Sequence, residues 1–182
     1  MIASGCLLLL MAMATITDVW RQKIYNWTTY SGIVIALLLN LLATTMEREE
    51  IAEVGIQNSL FGFLACGAVM LICFALFQIG GGDVKLLAMV GAFLGVQQGI
   101  EALLWTMVIG GAMAVVILIW KVGAVQLLKR VFQQLRNRVQ VGEFGPLEED
   151  EKTQLQVPLF LAPSALLAVL IVKFSIVDRL FT

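Results

Sequence analysis

The chain has 182 residues, of which 60% are hydrophobic and only 14% charged, and its mean hydropathy is +0.92. An average soluble domain carries roughly 25% charged residues, so an ordinary soluble class is excluded and an all-α, polytopic membrane protein is expected. A formal net charge of -1 removes the overall basicity that would argue for nucleic acid, and helices of about 20 residues with short loops would use nearly all of residues 1–182 as a single domain.

The first apolar run, 2–17, is read as a spanning helix. Ala12-Met13-Ala14 has the small-residue form of a signal-peptide cleavage site and Ala3-Ser4-Gly5-Cys6 that of a lipoprotein box. A basic n-region is missing, however, and almost no apolar stretch precedes Cys6. Further helices are expected near 27–45, 54–78, 84–99, 101–120 and 158–177, for six crossings in all. The first and fourth are short for a full span, which implies little tilt or a locally thin membrane. Gly91, Gly95 and Gly99 repeat at four-residue spacing and read as a close helix-packing face, as do Gly110 and Gly111. Between Lys121 and Val139, the residues Val125, Leu128, Phe132, Leu135 and Val139 share one helical face, as in an interfacial amphipathic helix against membrane lipid. Glu148-Glu149-Asp150-Glu151 reads as a solvated loop that could attract a basic peptide.

Basic residues are retained on the cytoplasmic side of a membrane. Arg21 and Lys23 fall in the first loop, Lys85 follows the third helix, and Lys121, Lys129, Arg130, Arg136, Arg138 and Lys152 fall in the fifth connection. The second loop carries Glu47, Glu49, Glu50 and Glu53 against Arg48, and the fourth carries Glu101. The odd loops are therefore expected in the cytoplasm and both termini outside it. Asp18 and Asp83 then lie at the cytoplasmic ends of their helices.

An ionisable group beside a membrane segment is costly and is a functional-site hypothesis by default. Two carboxylates brought to one depth on one side can form a dyad. Like charges held close in low dielectric do not both ionise readily, so one proton is shared and one group is left as a base. Such a pair can activate water while its protonated member polarises a peptide carbonyl, and so hydrolyse an amide. The plainer reading is that each aspartate is a cap or an interfacial charge, and for Asp18, just after Thr15 and Thr17, that reading is an even match. Asp83 is harder to read so, because Gly80, Gly81 and Gly82 precede it. Three successive glycines break a helix and expose backbone, which a membrane tolerates only when it is buried in protein or lines a wet cavity. They would also let an extended substrate strand come close.

The segment Gly80-Gly81-Gly82-Asp83-Val84-Lys85-Leu86-Leu87 resembles the Gly-x-Gly-Asp (GxGD) signature of membrane aspartic peptidases, and in its long form that of the type IV prepilin peptidase family. Thr17-Asp18-Val19-Trp20-Arg21-Gln22-Lys23-Ile24-Tyr25-Asn26 resembles that family's other catalytic stretch, an Asp followed by basic residues and Ile-Pro-Asn. Val157-Pro158-Leu159-Phe160-Leu161-Ala162-Pro163 is similar to the proline-containing start of its last helix.

The resemblance implies an endopeptidase that removes the short basic leader of prepilins and pseudopilins at the cytoplasmic face of the inner membrane. Asp18 and Asp83 would be the catalytic pair, Gly80 and Gly82 would shape the loop and admit the substrate backbone, and Asn26 would stay in place beside the first aspartate. Lys85 would tune the aspartates or meet substrate, or else serve as a cytoplasmic anchoring charge. Tyr25 stands where the family usually has proline, which is expected to loosen the turn after Asp18.

The larger members carry paired CxxC motifs that bind zinc, and they methylate the new amino terminus. Cys6, Cys66 and Cys73 form no CxxC and the chain has no histidine, so no metal and no cofactor are expected. The chain resembles the short branch associated with Flp-type tight-adherence pili, which implies cleavage without methyl transfer. A related preflagellin-type peptidase is the nearer alternative. A transporter or assembly subunit is the alternative of another class, although nothing resembles an inverted repeat and both acids sit at one face. The sequence does not specify the prepilin or a homo-oligomeric state.

Overall fold

The computed structural model describes residues 2–21, 23–48, 50–52, 54–77, 80–122 and 161–174. Long apolar runs satisfy their backbone internally as helices, and among the described residues all regular structure is helical: α1 (Ile2–Arg21), α2 (Asn26–Met46), α3 (Ile56–Phe77), α4 (Gly81–Val122) and α5 (Leu161–Lys173). The expected amphipathic segment after Lys121, the acidic loop at 148–151 and the Val157-Pro158 start of the last helix lie outside the described residues. Four helices, α1 to α4, are long and apolar enough to cross a membrane. Many of their large apolar side chains, such as Leu9, Phe61 and Leu76, face outward, as lipid-facing positions would.

The chain divides into two compact units, Met1–Ile109 with Phe160–Thr182, and Gly110–Leu159. In the second unit the described residues are the helical end of α4. There Gly111 has open space where a Cβ would stand, so no close approach explains it. In the first unit α1 packs against α5 and α2, and α2 against α3. The core joins Leu7 and Met11 of α1, Met70 of α3, Leu86, Met89 and Val90 of α4, and Val169 of α5.

Three boundaries differ from expectation. α1 continues to Arg21, so Asp18 lies inside its last turn. α4 begins at Gly81, so two of the three glycines are helical. The third difference is in the expected gap between the fourth and fifth helices, near residue 100. The chain instead breaks at Gly95, whose φ of 78° and ψ of -172° are non-helical and favour glycine. The limbs on either side fold together: a Cβ on Gly99 would lie 3.0 Å from Gly91 Cα. Gly91 and Gly99 thus make close contacts as expected, whereas Gly95 is the corner itself.

The corner is held from outside. The Asn58 side-chain oxygen accepts the Val96 amide at 3.2 Å, satisfying a donor freed by the break. A Cβ on Gly95 would meet Val54 Cγ1 at 2.6 Å and Asn58 Nδ2 at 2.9 Å. Nearby, Ser59 Oγ donates to the Ala92 carbonyl at 2.6 Å, and Asn40 Nδ2 donates to the Ala36 carbonyl at 2.9 Å and to Ser59 Oγ at 3.3 Å. This knot joins α2, α3 and the first limb of α4.

Candidate active site

Asp18 is 7% exposed, and its Oδ2 accepts a hydrogen bond from the Ala162 amide of α5 at 3.3 Å. Asp83 is half-buried in the first turn of α4, its amide donating to the Gly80 carbonyl at 3.0 Å. The two carboxylates, from helices far apart in sequence, lie within electrostatic reach of one another.

The glycines before Asp83 act through space. Gly80, Gly81 and Gly82 have no positive φ, so they are not needed for a left-handed turn. A Cβ on Gly80 would stand 2.9 Å from Asp83 Oδ2, and one on Gly82 would stand 3.1 Å from Ile24 Cβ. Gly80 therefore leaves room for the carboxylate, and Gly82 lets α4 approach the loop that joins α1 to α2.

Asn26 and Lys85 meet: Lys85 Nζ donates to Asn26 Oδ1 at 2.8 Å and lies 4.9 Å from the centre of the Tyr30 ring, a cation–π distance. The ammonium is thereby fixed beside a groove of about 390 Å³ whose walls include Ile33, Phe63, Leu71, Phe74 and Val84. Such a concave, apolar space with one charged group at its edge suits an apolar chain.

Two features of Tyr25 bear on the turn where proline was expected. Tyr25 precedes α2 with φ -73° and ψ 130°, a φ that proline itself would adopt. Its hydroxyl accepts a hydrogen bond from Arg21 Nη1 at 2.9 Å, bridging the end of α1 to the start of α2. Cys6 lies in α1, and Cys66 and Cys73 in α3, all as free thiols. Among the described residues no group of three or more His, Cys, Asp or Glu could hold a metal.

Sequence reasoning singled out both aspartates, Gly80, Gly82, Asn26 and Lys85. It missed the Ala162 amide and the Arg21–Tyr25 bond. An alanine amide has no side-chain signature, but the four-residue spacing of Arg21 and Tyr25 was visible.

The profile of the type IV leader peptidase family matches residues 5–115. The chain belongs to this family. The match includes Asp18, Asn26, Gly80, Gly82, Asp83 and Lys85, whereas α5 lies outside it. Comparisons with curated proteins and with solved structures found no match. Membership carries a leader peptidase-like function and, with the apolar helices, a multi-pass membrane setting. A family of this kind acts on prepilin-type substrates.

Proposed function

We propose that the protein is an aspartic endopeptidase of the GxGD type, a single membrane-embedded domain that cuts the leader from prepilins or pseudopilins at the cytoplasmic face of the inner membrane. The observation that carries this reading is the approach of the Asp18 and Asp83 carboxylates from α1 and α4. In low dielectric such a pair holds one proton between its members. The ionised carboxylate takes a proton from water as the water oxygen bonds to the peptide carbonyl carbon, and the protonated carboxyl gives its proton to the carbonyl oxygen. On collapse the C–N bond breaks, the first proton leaves with the amine, and the second returns to the pair.

The apolar groove lined by Val84 and Lys85, the residues that follow Asp83 in sequence, supports a substrate whose chain is apolar on one side of the cut. Charge placement in the loops supports the cytoplasmic face, since Arg21, Lys23 and Lys85 lie at the aspartate end. Cleavage without methylation is supported by the absence of CxxC from the sequence and by the likeness to the short, Flp-type branch. A preflagellin-type substrate is the alternative within the same chemistry.

The test is processing of a prepilin by Asp18→Asn and Asp83→Asn in membranes. Each substitution is expected to lower cleavage by about a thousandfold or more while the protein still inserts, and the double variant should be no worse than either single. Substantial cleavage by either single variant overturns the assignment.

A further inference from the structure

Asp18 occupies the last turn of α1, where the partial negative charge of its own helix disfavours a carboxylate. At 7% exposure, water does little to compensate. Another helix does: Ala162, the second residue of α5, donates its amide to Asp18 Oδ2 at 3.3 Å. First-turn amides have no partner within their own helix, and a helix N-terminus favours an anion placed against it. Asp83 is held differently. It sits in the first turn of its own helix, and among the described residues no group donates a hydrogen bond to its carboxylate.

From this asymmetry we propose that the pair has fixed roles. The Ala162 amide is a positioning group that keeps Asp18 as the carboxylate taking the proton from the attacking water. Asp83 is the carboxyl that gives its proton to the substrate carbonyl, and it recovers that proton when the C–N bond breaks. This deepens, and rests on, the reading of Asp18 and Asp83 as the catalytic pair. It also makes the site incomplete within the family-matched residues 5–115: α5 must dock on α1 before the first aspartate is set.

Among the described residues, the titratable side chain within electrostatic reach of Asp18 is Asp83 of α4. Arg21 closes α1, and Lys173 lies at the far end of α5. Loss of the amide donor is therefore read against one other acid, and the limb it moves belongs to the pair.

The experiment uses the full chain in lipid vesicles with a prepilin-type peptide. Lactic acid is inserted at position 162, so that an ester replaces the amide and only the N–H is lost. Ala162→Pro removes the same donor within a first turn, where proline is tolerated, and Ala162→Gly retains it. The ester variant is expected to lose about tenfold in kcat with KM unchanged, and its acid limb in kcat/KM should move to higher pH by about one unit, as expected for a lost hydrogen bond to a charged group. Ala162→Gly should keep the parent pH profile. If Ala162→Pro fails to fold, the ester variant decides alone. An ester variant with the parent kcat and acid limb overturns the positioning role. Asp18→Asn and Asp83→Asn are assayed alongside: activity in either removes the catalytic pair itself, whereas two inactive variants beside a normal ester variant remove only the role of Ala162.

Discussion

The two ends of the first limb of α4 treat polar groups in opposite ways. Near Gly95, Ser59 and Asn40 are fully buried and spend their hydrogen bonds on one another and on backbone carbonyls of α2 and α4. Near Gly81, two carboxylates lie within electrostatic reach of each other, with one described amide donating to Asp18. A side chain bonded to backbone in an apolar bundle lowers the cost of its own burial. Two acids set against each other raise that cost, and are worth keeping where they do chemistry. The same contrast separates the glycines. Those at the corner permit helices to touch, while Gly80 makes room for a carboxylate.

The comparison breaks most visibly at the corner. A Cβ on Gly62 would lie 2.8 Å from Gly95 Cα and 2.5 Å from its carbonyl carbon, and backbone cannot turn aside as a side chain can. Gly62→Val is therefore expected to destabilise the protein by about 3 kcal/mol, the upper range for overpacking, as measured by thermal unfolding in detergent. Unchanged unfolding would show that the two limbs and α3 are not closed together there.

Ser59→Ala probes the same end more gently. It removes the 2.6 Å bond to the Ala92 carbonyl and one acceptor for Asn40 Nδ2, but Asn40 Nδ2 keeps the Ala36 and Ala92 carbonyls, so no partner is stranded and the cost is that of a lost hydrogen bond, about 1.5 kcal/mol. Cleavage per folded molecule should be unaltered, because the knot is structural. A fall in kcat larger than the fall in folded protein would mean that the two ends are coupled.

How much of this contrast was legible depended on whether a side chain announced it. Asp18 and Asp83 stood out as acids in an apolar chain, and Gly80 to Gly82 as a cluster. Asn26 and Lys85 were identified through motif resemblance, but their 2.8 Å contact needed three-dimensional placement. The corner was misplaced because Gly91, Gly95 and Gly99 form a regular series, and an even spacing does not reveal which member has φ of 78°. Gln97 and Gln98 do interrupt the apolar run just beyond it. The hydrogen bond from Ala162 was invisible, since a backbone amide carries no residue-specific mark.

At the aspartate end, Gly80→Ala sharpens the distinction between making room and making contact. The new methyl group would stand 2.9 Å from Asp83 Oδ2, so the carboxylate must turn. Misplacement of a reacting group is expected to lower kcat by about tenfold, near 1.4 kcal/mol in barrier, with little change in thermal unfolding. Gly81→Ala is the control, since nothing lies within 4 Å of its Cβ position. Equal losses in the two variants would point to glycine flexibility in place of carboxylate clearance.

The smallest effect is expected at Tyr25, where the motif resemblance leads one to expect proline. Tyr25 has φ -73°, so Tyr25→Pro places the ring in a conformation already adopted, and the restriction of the unfolded chain is worth about 0.4–1 kcal/mol. Against this stands the loss of the exposed Arg21 Nη1 bond to the tyrosine hydroxyl, worth a similar amount for an exposed pair. The two offset, and stability should stay within about 0.5 kcal/mol of the parent with cleavage unchanged. Arg21→Gln, which removes the bond without the compensating ring, should be slightly less stable than Tyr25→Pro. The reverse order in thermal unfolding would show that the proline ring does not compensate, and an Arg21→Gln variant as stable as the parent would show that the hydroxyl bridge does not hold the turn after Asp18.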